Sequence, residues 1–280
     1  MDDPRNKSFR VLPASRGFAW LGQSVAILRL QAARLLFLAV LMQVIISLVQ
    51  VPILGLFILL SVPGLNAGIL EAFHQAGRGQ VPQVNLLFAP LVSGRHRARF
   101  FLMGGLILLI SIICVTFVLG STTEIDEALM LRLQQGDMAA LEEIDPTFIQ
   151  RLMASFLISV AISGTITFFS IPLVWFLGRG LGRSIGEGLK ALMANWKPML
   201  GLGLVLLGVF LPVSLLLMLF MQLALVGGLL GTLGMGLVMM VVLLFQLLLF
   251  GTQYCSFREI FELEPPEPEE PEHSDDQLVA

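Results

Sequence analysis

Charge is scarce in this sequence. Only 13% of its 280 residues are charged, 56% are hydrophobic, and the mean hydropathy is +0.87. A soluble domain carries roughly 25% charged residues, so this chain could not clothe its surface with polar groups in water. A bilayer removes that demand, because lipid solvates apolar side chains. Cysteine is nearly absent. Cys114 and Cys255 each sit within or near the end of an apolar run, with no clustered ligands at metal spacing. They read as small apolar residues rather than as a disulfide. Histidine is limited to His74, His96 and His273, and H-E-x-x-H is missing. Metalloprotease and b-type haem chemistries therefore lack their residues. No basic run is interleaved with aromatics, which gives nucleic acid no footing as a partner.

What charge there is lies unevenly. The formal net charge is −3, but nine acids fall between Glu259 and Asp276 with no Lys or Arg among them. The rest of the chain carries all 17 basic residues against eleven acidic ones. A mildly basic body and an acidic tail suit a protein resting against anionic headgroups. The first apolar run begins after about thirty residues of mixed basic sequence, too late for a cleavable signal peptide.

Charge-free stretches run 35–70, 100–123, 152–178 and 198–257. A helix needs about 20 apolar residues to cross the hydrocarbon. The second and third stretches each fit one span, and the other two are long enough for more. Gln50-Val51-Pro52 breaks the first into helices at 33–50 and 52–73, with Pro52 as a first-turn residue. A re-entrant hairpin fits the same residues. Gln222 and Gly227-Gly228 break the last stretch. Two long spans, at 198–220 and 224–252, fit this break better than three short ones, with Trp196 at interface depth.

Orientation follows from Lys and Arg. The N-terminal segment, the 72–99 loop and the 178–197 loop are rich in them, whereas 121–151 holds only Arg132 and Arg151 against seven acids. The basic segments are expected on the cytoplasmic side and the acidic loop outside, with both termini cytoplasmic. The expected fold is an all-α polytopic membrane bundle of about six transmembrane helices, arranged as three hairpins with cytoplasmic interfacial amphipathic helices. The expected organisation is a cytoplasmic segment at 1–15, a six-span membrane domain at 16–258 with an acidic external loop at 121–150, and a disordered acidic, Pro-rich tail at 259–280.

Each hairpin is preceded by an amphipathic segment. In the first, Phe18, Leu21, Val25 and Leu28 recur at helical spacing. In the third, Leu181, Ile185, Leu192 and Trp196 form the stripe. The middle segment, Val81 to Leu91, is interrupted by Pro82 and Pro90. Ser61-Val62-Pro63 and Ser170-Ile171-Pro172 fall late in the second and fourth spans and support a repeat. In the acidic loop, Thr123 to Asp126 has the form of a capping box, and a helix pair breaking at Gly136 follows it. Asp145-Pro146 has the form of a cap and first residue for the fourth span.

No catalytic, cofactor or metal residue is assigned. Glu71, beside His74 near the end of the second span, reads as a helix-terminal group reaching for water. Ser163-Gly164 reads as a packing site. Gly64 with Gly68, and Gly227 with Gly231, have the G-x-x-x-G spacing that lets helix backbones approach. The sixth-span pair is expected to pack against the second span of the same chain rather than between chains. Arg95, Arg97 and Arg99 before the third span could meet anionic headgroups.

Three passages carry a family resemblance: LPASRGFAWLGQSVAILRLQAARLL, SVPGLNAGILEAFHQAGRGQVPQVNLLFAPL and the closing QYCSFREIF. The chain resembles bacterial inner-membrane proteins of a domain-of-unknown-function group, related in layout to the YciC-like family. The shared features are R-G-x-x-W in the first interfacial helix, P-x-x-x-x-G in the second span, an R-G-x loop leading to L-F, and an aromatic-rich exit. The resemblance implies an inner-membrane location and six helices, and no activity or cofactor. The expected role is non-enzymatic, structural or in envelope maintenance, among membrane lipids and with a membrane-protein partner or a second copy. The alternative is a transporter or flippase for an apolar or lipidic substrate.

Topology reporters fused after residues 80, 190 and 270 are expected to read cytoplasmic, and one after 135 external. A cytoplasmic reading at 135 would overturn the orientation.

Overall fold

A computed structural model describes residues 9–119, 132 and 145–263. Among these residues all regular structure is helical. The order is α1 (Arg16–Leu30), α2 (Ala32–Ser47), a 3-10 turn at Leu48–Gln50, α3 (Leu54–Gly77), a 3-10 turn at Val84–Leu87, α4 (Ala89–Val92), α5 (Arg97–Leu119), α6 (Pro146–Phe176), α7 (Leu181–Ala194), α8 (Trp196–Leu225) and α9 (Gly228–Ile260). Six of them, α2, α3, α5, α6, α8 and α9, are long and apolar enough to cross a membrane. The chain is an all-α integral membrane protein. Short helices α1, α4 and α7 precede the successive pairs of spans, as the three-hairpin pattern requires.

Local chemistry sets the boundaries. The first break falls where expected, but Pro52 does not open a helix. Residues 51–53 form a turn, Ile53 takes a positive φ of 65°, and Leu54 starts α3. Gly55 fits there because a Cβ would lie 2.0 Å from the Val49 carbonyl oxygen. At the other end of α3, the Gly79 amide bonds to the Ala76 carbonyl and that of Gln80 to the Gln75 carbonyl. Gly79 supplies the left-handed residue of this Schellman stop. Asp145 caps α6 as expected, accepting from the Thr147 amide at 2.9 Å. The last apolar stretch holds two helices that meet at Val226-Gly227, both longer than expected. The capping box at 123–126, the helix pair and Gly136 lie outside the described residues, as does the tail from 264.

Pro63 and Pro172 sit inside α3 and α6. Each removes the backbone hydrogen bond to the carbonyl four residues earlier. Two residues before each proline a serine bonds back one turn: Ser61 to the Phe57 carbonyl at 2.7 Å and Ser170 to the Ile166 carbonyl at 2.5 Å. The Ser-x-Pro echo is thus a shared local geometry.

The described residues form two compact units, one from those within 1–40, 69–86 and 193–280, the other from those within 41–68 and 87–192. In the first unit α1 packs on α8 and α9, which also pack on each other. In the second, α5 packs on α6 and α4 on α5. The interfacial helices correct one expectation. The buried face of α1 is Gly17, Trp20, Ser24 and Ile27, while Phe18 is 60% exposed. The buried face of α7 is Ser184, Gly188 and Ala191, with Leu181, Ile185 and Leu192 half-exposed. A helix at a membrane surface has two apolar neighbours, lipid and protein. Small residues on the protein side let backbones approach more closely, and the bulky stripe lies beside that face, partly exposed. A Cβ on Gly17 would lie 2.3 Å from the Pro198 carbonyl oxygen. One on Gly188 would meet Phe169 and Ser170 at 3.3 Å.

The same test separates two adjacent glycines of α5. A Cβ on Gly104 would lie 2.3 Å from the Leu60 carbonyl oxygen, whereas the nearest atom to one on Gly105 is a Leu60 methyl at 3.9 Å. Gly104→Ala is expected to destabilise the protein by about 1–3 kcal/mol, as overpacking against backbone does. Gly105→Ala should be neutral. Thermal unfolding in detergent checks both, and equal effects would contradict this packing.

Candidate functional site

In the first unit, polar side chains gather where α1 meets the end of α9. Glu259 is the focus. Arg16 approaches it through two nitrogens, Nη2 to Oε2 at 2.8 Å and Nε to Oε1 at 2.5 Å. Trp20 donates its indole N–H to Oε2 at 2.8 Å, from a side chain with no solvent exposure. The hydrogen bond to Glu259 holds the Arg16 pKa above its ordinary value. The charge on both partners strengthens the Nη2 hydrogen bond. One turn away on α9, the Tyr254 hydroxyl meets His74 Nδ1 of α3 at 2.9 Å, and the guanidinium carbon of Arg258 lies 5.8 Å from the Tyr254 ring centre.

The chain before α1 is strapped down beside this carboxylate. Asn195, fully buried between α7 and α8, accepts from the Leu12 amide at 2.8 Å and donates to the Arg10 carbonyl at 2.9 Å. The Arg10 amide donates to the Ile260 carbonyl at 2.7 Å, and its guanidinium pairs with Glu262. Glu262 takes a positive φ of 52°, and the Leu263 amide returns to the Arg258 carbonyl, which closes the end of α9. Residues 9–15 and 259–263 are therefore folded, so the disorder expected from 259 does not hold for 259–263. A cavity of about 610 Å³ opens among Arg10, Arg16, Gln23, Arg258, Glu259 and Glu262.

In the second unit, the three expected headgroup contacts divide. Arg95 and Arg97 are exposed. Arg99 is spent on the protein: its Nη1 donates to the carbonyls of Gly178 at 2.7 Å and Arg179 at 3.1 Å, just past α6. It holds the chain where α6 gives way to α7. Beside it, Glu187 binds Arg183 at 2.6 Å and also Arg179, and His96 stands edge-on to Trp175 with ring centres 5.5 Å apart. Burial, with Arg99 and Arg95 adding to it, pushes the His96 pKa below its usual value. Burial and the nearby Arg183 do the same to Arg179.

The expected packing glycines divide too. Gly64 is a true close approach, with a Cβ there falling 2.3 Å from the Leu91 side chain, and Gly68 is buried. Gly227 supplies the positive-φ turn instead, at φ 78° with open space around it. Gly231 does not face the second span. It closes on the neighbouring helix α8, where a Cβ would lie 2.9 Å from the Ala224 carbonyl oxygen, and Gly234 completes the seat at 2.6 Å from the Ala224 amide nitrogen. A hairpin turn only three residues away fixes that partner. Gly164 has open space around it, so it is no packing site. Both cysteines are free and buried. Among the described residues no three His, Cys, Asp or Glu side chains are grouped to hold a metal.

These features define a multi-pass helical membrane protein whose helix-end charges knit its own elements together. No family model, curated protein or solved structure matches the chain. The Glu259 network was out of reach of sequence reading, since its partners lie 243 and 239 residues away. The one available hint was a Trp on a short basic helix that needed a partner for its N–H.

Glu259→Ala is expected to strand the buried Trp20 N–H and lower stability by about 1–3 kcal/mol. Glu262→Ala, which removes a pair more than half exposed on both sides, should cost far less. Detergent melting curves check the ratio, and equal losses would contradict this ranking.

Proposed function

We propose that the chain is a non-enzymatic structural protein of a bacterial inner membrane, with a scaffolding or envelope-maintenance role and both termini in the cytoplasm. The carrying observation is how its polar groups are used. Arg16, Trp20, Asn195, Arg99 and Glu187 all engage other parts of the chain. They are fasteners between helix ends, and a reaction would need them to face a substrate instead. The resemblance to the YciC-like group supports the location. Arg16, Gly17 and Trp20 of its R-G-x-x-W motif are the residues that dock α1. Exposed Arg95 and Arg97, with the bulky outer stripe of α1, suit contact with anionic lipid at about 1 kcal/mol per basic residue near the surface. The membrane lipids, and a membrane protein or second copy, are its partners.

In the native host, loss of the chain is expected to sensitise cells to detergent, and wild-type protein should restore resistance. Proteoliposomes containing it should exchange fluorescent phospholipid between leaflets no faster than empty vesicles. Protein-dependent, saturable exchange would overturn this reading and establish the transporter or flippase alternative.

A further inference from the structure

Most charged groups at the end of α9 are spent within the chain. Glu259 holds Arg16 and Trp20, and Glu262 holds Arg10. Arg258 is the exception. Among the described residues no carboxylate pairs with it, and it lies over the Tyr254 ring. On a continuous helix an acid four residues away would be its usual partner. Here α9 ends at Ile260, and Glu262 takes its positive φ of 52° and pairs with Arg10 instead. The helix end thus leaves a guanidinium and a neighbouring carboxylate unpaired with each other.

Both groups line the cavity of about 610 Å³ in the first unit, beside Arg10, Arg16, Gln23 and Glu259. That volume suits a small polar ligand, since such sites run from about 300 to 1,000 Å³. The lining carries three guanidiniums and two carboxylates. A simple anion would meet the carboxylates, and a simple cation the guanidiniums. A molecule with both charges a few bonds apart can satisfy both. Gln23 shares a face of α1 with Arg16 and Trp20 by helical spacing, and its amide can donate to an anion or accept from a cation.

Depth narrows the occupant. Arg258 is the first charged residue after the charge-free stretch 198–257, and Arg16 and Trp20 lie on the short helix beside it. These residue types mark the headgroup level. Molecules of mixed charge at that level are the zwitterionic phospholipids. We propose that the cavity binds the headgroup of one phospholipid of the phosphatidylethanolamine type. Its phosphate accepts from the planar fork of Arg258. Its primary ammonium donates to Glu262, whose side chain is 54% exposed. A trimethylammonium headgroup has no N–H to give that carboxylate, and a glycerol headgroup has no positive charge. The site rests on the membrane setting and not on the structural role proposed above.

The full chain in dodecyl maltoside is titrated with dioleoyl phosphatidylethanolamine, phosphatidylcholine and phosphatidylglycerol, and bound lipid is counted by native mass spectrometry. The first phosphatidylethanolamine should bind saturably and roughly tenfold tighter than phosphatidylcholine, as a charge-assisted hydrogen bond allows. Arg258→Gln should weaken it by a similar factor. Glu262→Gln should erase the preference over phosphatidylcholine and raise phosphatidylglycerol binding, because it also releases Arg10. A reversal of selectivity is a result that loss of folding would not give, and circular dichroism should stay as in wild type. Arg29→Gln removes an α1 charge outside the cavity lining and should change nothing. Equal binding of the three lipids by the wild-type chain would overturn the proposal. So would a preference indifferent to both cavity substitutions. Equal competition by water-soluble glycerophosphoethanolamine would overturn the assignment to a lipid.

Discussion

The Glu259 carboxylate is the point on which the first unit depends. It accepts from Trp20 and from Arg16 Nη2, two side chains one turn apart, so α1 is fixed in both position and rotation at the end of α9. The fixed rotation turns Gly17 onto the α8 backbone and Ser24 toward α9, where its hydroxyl donates to the Leu248 carbonyl at 3.2 Å. A Cβ on Gly251 would collide with Ser24 and Phe73, so α3 is drawn into the same contact. An ion pair in water contributes little to stability. Here the indole N–H is fully buried, and leaving it unpaired would cost more than the exposed part of the pair contributes.

The second unit meets the same problem of seating an interfacial helix by other means. Gly188 lets α7 lie against Phe169 and Ser170, and Arg99 holds the connecting carbonyls. Both interfacial helices bury small residues, Gly17 and Ser24 of α1 and Ser184, Gly188 and Ala191 of α7, and α1 buries Trp20 and Ile27 with them. This arrangement serves a helix shared between protein and lipid, where the two surfaces want different things. Protein contact gains from backbone proximity, and lipid contact gains from apolar area.

What was legible in the sequence was local. Apolar length marked six spans, Asp145-Pro146 marked the start of α6, and Gly227 marked the last turn. Each depends on residues within a turn or two. The buried face of α1 was misread because Phe18 and Leu21 are more apolar than Gly17 and Ser24, and hydrophobicity alone does not separate lipid from protein. Pro52 was misplaced because a first-turn proline and a turn proline share one φ. Gly231 was given a distant partner although a hairpin supplies a near one. The unpartnered hydroxyl of Ser163 was invisible, because its neighbours in sequence are ordinary and only the three-dimensional surroundings leave it without an acceptor.

The long loop closed by Glu259 bears on how the protein is made. Trp20 leaves the ribosome before its carboxylate partner, which follows 239 residues later. At 5–20 residues per second that interval is about 12–48 s. Throughout it α1 has neither α8 nor α9 to lie on, and its bulky stripe can rest on the membrane surface. The stripe of Phe18, Leu21 and Val25 then acts as a berth during synthesis. The Gly17 and Trp20 side is held in reserve until the last helix arrives. Docking of α1 thereby waits for α9.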